Sequence, residues 1–252
     1  MSVSRVWLPA AAVGFVVALA ACSSSTTQEG PSTVTVTASD AGPTQSSAGP
    51  SASPTADSPF EATLLRVQES RGTNSINVQL PQVTGGSADV RDRFNRGMRT
   101  ALDDLADKAT DTTIEDGALA EDERSRVTTI TPHVVAGVAI FNWYAKGAAH
   151  PNNGVATIAI NAESADPILL TDVFSDQQAA GQRLAEKVTQ INPDVVPFDQ
   201  SMDQFLNWVP TPNGFRVYVP VIHAMGDYWP VTVPWDAISD LMTPEAKATL
   251  IS

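Results

Sequence analysis

Residues 126–164 read RVTTITPHVVAGVAIFNWYAKGAAHPNNGVATIAINAES and carry the clearest information on the fold. Three segments rich in β-branched and aromatic residues, which favour strands, follow one another: 126–137, 138–147 and 154–164. The connection before the last segment is a short turn that contains His150 and Pro151. Antiparallel neighbours can be joined by such short connections, whereas parallel neighbours need long crossovers. The stretch therefore predicts an antiparallel meander.

The region before this meander predicts two strands and a long helix. Strands are expected at 62–70 and 74–83, where the second alternates apolar and polar residues. Segment 87–108 predicts the helix, because apolar residues recur at spacings of three and four: Val90, Phe94, Met98, Ala101, Leu102 and Leu105. Gly97 weakens this helix by about 1 kcal/mol relative to alanine, which indicates a close approach to a neighbouring element. The acidic segment 111–123 is predicted to be a loop.

The region after the meander predicts two further helices and a hairpin. Segment 168–174 is expected to be extended, and Ser175 with Gln178 forms a capping-box pattern for the next helix. Leu184, Val188 and Ile191 are expected on one face of that helix. Asn213-Gly214 lies between two strand-like runs and predicts a hairpin turn. A short helix over 200–208, a final strand and a last helix beginning at Pro234 complete the expectation.

These elements predict an α+β fold, in which about three helices pack on one antiparallel, twisted sheet. The folded domain is expected over 60–252, a length that can bury roughly 70% of its unfolded surface. Residues 1–21 resemble a signal peptide, since Arg5 precedes an apolar run that ends in small residues. Residues 22–59 are dominated by Ser, Thr, Pro, Ala and Gly, a composition that predicts a disordered tether.

The tetrapeptide Leu19-Ala20-Ala21-Cys22 resembles the bacterial lipobox, which implies cleavage before Cys22 and attachment of lipid to its sulfur. Cys22 is the only cysteine, so the chain has no intramolecular disulfide. The expected location is the outer face of the cytoplasmic membrane, where the acyl chains hold the protein. An uncleaved signal anchor and a secreted protein without lipid are the alternatives.

The charge of the chain restricts its partners. With 28 acidic and 15 basic residues, the formal net charge is -13 at pH 7. Nucleic acid and anionic headgroups are therefore poor partners, whereas a cationic partner is permitted. No cofactor fingerprint is present, and His133, His150 and His223 lack the spacing of a metal site. The protein is expected to be a monomer without cofactor or metal.

Two interpretations of the histidines remain open. Hydrolysis needs a nucleophile beside a base that a third group orients. His150, His223 and Asp227 could contribute to an esterase, but the sequence contains no G-x-S-x-G motif, and no catalytic residue is assigned. In the other interpretation, His150 is a turn residue whose ring bonds to neighbouring groups. Four tryptophans form either a carbohydrate platform or part of the core: Trp143, Trp208, Trp229 and Trp235.

Three segments together resemble a known family: GAAHPNNGVATIAINAES from 147, LLTDVFS from 169, and PNGFRVYVPVIHAMGDYWPVTVPWDAISDLM from 212. Their order and spacing are similar to the RsiV-like extracytoplasmic domain, a domain of unknown function that also occurs in secreted immunogenic mycobacterial antigens. The resemblance covers most of 74–242 and is most specific at the turn residues Gly147, His150, Pro151 and Asn152. In that family the segment closes a β-hairpin.

The chain departs from the family at two places. Ala148 replaces a second glycine of the turn, and residues 223–226 stand where the family tends to carry tyrosines. The best understood members are anti-sigma factors that sense lysozyme. That role needs a membrane span and a cytoplasmic segment, so it is not expected behind a cleaved signal peptide. The resemblance implies binding of a lysozyme-like cationic protein or of a cell-wall polysaccharide. The candidate ligand groove contains five residues: Trp143, Tyr144, His223, Tyr228 and Trp229.

Overall fold

The structure is a computed structural model that describes residues 59–251. The predicted signal peptide, the predicted lipidation site Cys22 and nearly all of the predicted tether lie outside the described residues. The described strands are β1 (Glu61–Arg71), β2 (Asn74–Thr84), β3 (Thr112–Asp116), β4 (Arg126–Ile130), β5 (Val134–Ala145), β6 (Asn152–Asn161), β7 (Trp208–Thr211), β8 (Gly214–Pro220) and β9 (Tyr228–Val233). The α-helices are α1 (Ala88–Lys108), α2 (Leu170–Val173), α3 (Gln177–Ile191) and α4 (Pro244–Leu250). This confirms the α+β prediction.

The strands form a large twisted sheet and a small one. In the large sheet β1, β2, β3, β5 and β4 follow in that order, and β6 pairs with β5. All of these pairs are antiparallel except β2 with β3, which is parallel. The small sheet contains β7, β8 and β9 in sequence order, all antiparallel. The predicted single antiparallel sheet is thus divided in two, and its larger part is mixed.

Strand β5 is the centre of the domain because its apolar run 134–141 is buried on both faces. Alternate residues point to opposite sides of a strand. Val134, Ala136, Val138 and Ile140 belong to a first core that includes α3 and the small sheet. Val135, Ala139 and Phe141 belong to a second core that includes α1. The large sheet therefore lies between α1 on one face and α3 with the small sheet on the other.

Helix α1 crosses the large sheet closely, as Gly97 indicated. A Cβ atom on Gly97 would lie 2.2 Å from Cδ1 of Ile158 on β6. On β5, a Cβ atom on Gly137 would lie 2.8 Å from the ring of Phe94. Every predicted apolar position of α1 is buried. The helix spacing and the glycine signal were therefore both confirmed.

The first core contains an aromatic cluster around Phe215 of β8. The ring of Phe215 stacks on Trp208 at 4.6 Å between centroids and meets Phe174 and Trp235 edge to face at 5.7 and 6.2 Å. Phe215 has no exposed surface, and Trp235 is 9% exposed. Trp208 and Trp235 are thus core residues. The hairpin that Asn213-Gly214 predicted joins β7 to β8 and supplies two of these rings.

A buried ion cluster connects the large sheet to the small one. The carboxylate of Glu123, whose side chain is 4% exposed, binds Arg126 of β4 and accepts a hydrogen bond of 2.6 Å from Nη2 of Arg216 on β8. The hydroxyl of Tyr218 donates to Oε1 of Glu123 at 2.9 Å. Burial, and next the charge of Glu123, raises the pKa of Tyr218, so its hydroxyl keeps the proton that it donates. The cluster was not predicted.

The structure corrects the predicted strands of the first half. Segment 111–123 is not only a loop, since it contains β3. The break in the meander falls at 131–133 rather than after Gly137, because Thr131 caps a turn there through bonds to the amides of His133 and Val134. One long strand, β5, results.

The structure also corrects the predicted helices of the second half. Segment 168–174 is not fully extended, since α2 forms within it. The cap of α3 is Asp176, which accepts from the amide of Ala179, rather than Ser175. Ile191 is 47% exposed instead of buried. The short predicted helix near 200–208 is a 3-10 turn, Met202–Phe205, and Pro234 precedes 3-10 turns rather than an α-helix.

Candidate functional site

Three of the predicted turn residues, Gly147, His150 and Pro151, lie in the loop that joins β5 to β6, whereas Asn152 is the first residue of β6. Gly147 adopts a φ of +87°, which favours glycine, whereas Ala148 has a negative φ and fits without strain. The amide of Ala148 donates to the carbonyl of Ala145 at 2.9 Å, and the hydroxyl of Tyr144 donates to the carbonyl of Ala148 at 3.0 Å. This loop is therefore a bonded turn that presents His150 to solvent.

The loop that joins β8 to β9 is also compact. It contains one 3-10 turn, His223–Met225, and the amide of Val221 donates to the carbonyl of Asp227 at 2.9 Å. Gly226 and Asp227 follow the turn with φ of +100° and +70°. Two successive left-handed residues reverse the chain sharply, and Asp is among the side chains that tolerate this conformation best. The reversal brings the carboxylate of Asp227 toward the other loop.

Asp227 joins the two loops, although its partner is 74 residues away in the sequence. Its Oδ2 accepts from the backbone amide of Asn153 at 2.7 Å, and its Oδ1 is 2.9 Å from Nδ1 of His223. The side chain of Asn153 donates in return to the carbonyl of Gly226 at 3.1 Å. The side chain of Asp227 is only 17% exposed. The carboxylate is therefore a structural bridge as well as the partner of an imidazole.

His150 and His223 stack on each other across this bridge, with 3.6 Å between ring centroids and 15° between ring planes. Nδ1 of His150 is 3.1 Å from the carbonyl of Pro151. A carbonyl and a carboxylate only accept hydrogen bonds, so in each neutral ring Nδ1 carries the proton and Nε2 is a free acceptor. The stack is the feature that unites the two histidines singled out from the sequence.

The segments that carry the two histidines have further exposed side chains. Tyr144 is 40% exposed and Ile222 is 59% exposed, and both histidines are exposed as well. We refer to Tyr144, His150, Ile222 and His223 as the loop surface. The hydrogen bonds described above fix both loops before any ligand arrives. Such a preorganised surface loses less conformational entropy on binding than a flexible one.

The five predicted groove residues lie in three different packing environments. Tyr144 and His223 belong to the loop surface. Trp143 is half-buried against the second core, whereas Tyr228 and Trp229 are half-buried against the first. Burial, and to a smaller degree the charge of Asp227, raises the pKa of Tyr228, so its phenol stays neutral at physiological pH. A ligand groove formed by all five residues remains a prediction.

Sequence reasoning named both histidines but missed Asn153 and Ile222. Asn153 was not identified because its role depends on a contact with Asp227. A signal for the loop did exist in Gly226-Asp227, a dipeptide typical of tight turns.

Replacing Asp227 tests whether the two loops are fixed by this bridge. We expect Asp227→Ala to lower the free energy of unfolding by about 2–3 kcal/mol, since two hydrogen bonds are lost and alanine is strained at positive φ. Asp227→Asn keeps one acceptor and tolerates the backbone, so its cost should be about 1 kcal/mol. Urea unfolding measures both, with Asp236→Ala as an exposed control. If all three variants are as stable as wild type, Asp227 does not hold the two loops together.

Metal-binding clusters and membrane-spanning helices are absent from the part of the chain that the structure describes. Among residues 59–251, no group of three His, Cys, Asp or Glu side chains could hold a metal ion. His133 lies apart from the stack and pairs with Glu163 at 2.9 Å. No helix within the described range is long and apolar enough to cross a membrane.

Solved structures share this fold. A member of the DUF3298 family from Bacteroides fragilis matches with a TM-score of 0.51 and 12% identity, over 73% of this chain and 93% of that one. A DUF3298 family protein from Pseudomonas aeruginosa matches with a TM-score of 0.50 and 12% identity, over 75% and 95% of the two chains. No protein-family model and no curated protein matches the sequence. At this identity the likeness shows a common fold with proteins of a domain-of-unknown-function family.

Proposed function

We propose that this chain is an envelope lipoprotein, anchored through Cys22, whose domain binds a lysozyme-like cationic protein through the loop surface. The observation that carries the proposal is the stack of His150 on His223, bridged by Asp227 to Asn153. These contacts hold two distant loops in one fixed, exposed surface. Surfaces of fixed shape that combine aromatic and apolar side chains with a polar rim suit protein recognition.

Charge and resemblance support the same proposal. The formal net charge of -13 attracts a cationic partner and accelerates its association at low salt. Three segments resemble the RsiV-like extracytoplasmic domain, and the domain shares its fold with DUF3298 proteins of unknown function. The lipobox-like segment before Cys22 suits a protein that meets extracellular ligands. A cell-wall polysaccharide is the alternative ligand.

The binding test uses the purified full chain with lysozyme and, separately, with soluble cell-wall polysaccharide. We expect lysozyme to bind at tens of micromolar or tighter, and we expect Ile222→Ser to weaken binding at least about tenfold through loss of an apolar contact. Ile130→Ser, at an exposed apolar site on β4 outside the loop surface, is the control. If only the polysaccharide binds, it takes the place of lysozyme as the proposed ligand. If neither lysozyme nor the polysaccharide binds, the proposal is overturned.

An esterase is the second candidate, and the Asp227–His223 pair is the observation that favours it. The carboxylate orients the imidazole and leaves Nε2 free to act as a base. Within residues 59–251, however, no serine or threonine hydroxyl donates to either ring of the stack. Hydrolysis of short-chain acyl esters by the full chain decides the matter. Activity that His223→Ala abolishes, at unchanged folding by circular dichroism, would establish catalysis in place of the proposed binding role.

A further inference from the structure

A groove of about 570 Å³ lies along α3, far in sequence from both loops described above. Its walls are the residues Ala185, Glu186, Thr189 and Gln190 of α3 and the segment 196–200 that follows the helix. We call it the α3 groove. It shares no residue with the loop surface, so an inference about it stands apart from the proposed function.

The outer wall of the α3 groove is fixed to the domain. Val195 is fully buried and anchors the segment that follows. A Cβ atom on Gly181 would lie 2.4 Å from the carbonyl oxygen of Gln200, so the segment rests directly on α3. The amide of Phe198 donates to Oε1 of Gln204 at 3.3 Å. The groove is therefore a formed feature rather than a gap beneath a loose loop.

Two large apolar side chains nevertheless remain exposed at this groove. Val196 is 61% exposed and Phe198 is 58% exposed, although both belong to a segment whose backbone is anchored. Pro197 between them restricts the backbone further. A fixed apolar wall in contact with water is a feature of interaction sites, since burying it against a partner is favourable.

The charge at the groove selects the chemistry of the partner. Glu186 and Asp199 are the charged residues of its wall, and both are acidic. Nζ of Lys187 lies 3.8 Å from Oε1 of Glu186 and partly neutralises the charge of that carboxylate. The carboxylate of Asp199 accepts from the hydroxyl and the amide of Ser201, and these bonds hold the pKa of Asp199 below its usual value. The groove thus has an ionised carboxylate and an exposed aromatic side chain in the same wall.

A carboxylate beside an aromatic face suits a guanidinium or ammonium group, which gains both an ion pair and a cation–π contact. We propose that the α3 groove binds a short extended segment of a partner protein, with an arginine or lysine between Asp199 and Phe198 and an apolar side chain on Val196. An adjoining groove of about 420 Å³ shares Glu186 and Gln200 and extends the surface along α3. Arg183 lines this adjoining groove, but its guanidinium already donates to the carboxylate of Asp240. The preference of the α3 groove for a cationic side chain is therefore unchanged.

The test titrates the full chain with a capped octapeptide of alternating arginine and leucine, and with the same peptide in which neutral citrulline replaces arginine. We expect the arginine peptide to bind and to shift the amide resonances of 185–190 and 196–200 in an NMR spectrum. Asp199→Asn should weaken binding about fivefold, the loss expected for one exposed ion pair. Phe198→Ala should weaken it about tenfold.

Two controls make the result specific to the groove. Asp203→Asn removes a nearby exposed carboxylate that does not line the groove, and His223→Ala alters only the loop surface. Neither should change peptide affinity. The inference is overturned if the arginine peptide does not bind at millimolar concentration, if citrulline binds equally well, or if His223→Ala weakens binding while the groove variants do not. Resonance shifts in the groove with cell-wall oligosaccharide but not with the peptide would also overturn it.

Discussion

Glu123→Ala is expected to lower the free energy of unfolding by about 3–5 kcal/mol, because it removes the buried anionic partner of a largely buried cation and leaves only the exposed Glu121, at 3.4 Å. The side chain of Arg216 is only 14% exposed. Its closest carboxylate oxygen is Oε2 of Glu123, which lies 2.6 Å from Nη2 of Arg216. The hydroxyl of Tyr218 loses its acceptor in the same variant. Urea unfolding followed by circular dichroism measures the loss.

The neighbouring pair Asp122–Arg124 provides the control for Glu123→Ala. Its side chains are 79% and 62% exposed, so Arg124→Ala should change the free energy of unfolding by less than about 1 kcal/mol. A double-mutant cycle between Glu123 and Arg216 should give a coupling of at least about 1 kcal/mol. A loss below about 1 kcal/mol for Glu123→Ala would mean that the cluster does not hold the two sheets together.

Phe215→Ala is expected to cost about 3–5 kcal/mol as well, through the cavity that it leaves in the first core. The ring contacts three other aromatic rings and is fully buried, so no single neighbour can fill the space. Phe198→Ala is the matched control, since it removes the same ring from a site that is 58% exposed. The free energy of unfolding of Phe198→Ala should stay within about 0.5 kcal/mol of that of wild type. Similar losses for the two variants would contradict the assignment of the first core.

The elements with strong local signals were predictable from the sequence. Helix α1 has a continuous apolar stripe and hairpin β7–β8 has the Asn213-Gly214 turn, and both occur where they were expected. Strand β3 was missed because only Thr112 and Ile114 of its five residues are buried. Its acidic composition indicates a loop, and only its pairing between β2 and β5 makes it a strand.

The candidate site was predictable only in part, for a related physical reason. The sequence placed His150 in a turn, and the structure confirms that turn between β5 and β6. The stacking of His150 on His223 depends on the docking of two loops that are distant in sequence. The α3 groove depends equally on the segment 196–200 folding back on the helix. Local patterns carry no information on such contacts.

Hydrogen exchange of the full chain with and without lysozyme tests most directly whether the loop surface binds an envelope ligand. We expect bound lysozyme to slow amide exchange in the two loops, 144–153 and 221–228, and to leave α1 unchanged. The same comparison with cell-wall polysaccharide identifies the ligand if lysozyme does not bind. Unchanged exchange in both loops at saturating ligand would contradict the account, because the surface that Asp227 assembles would then not be the binding site.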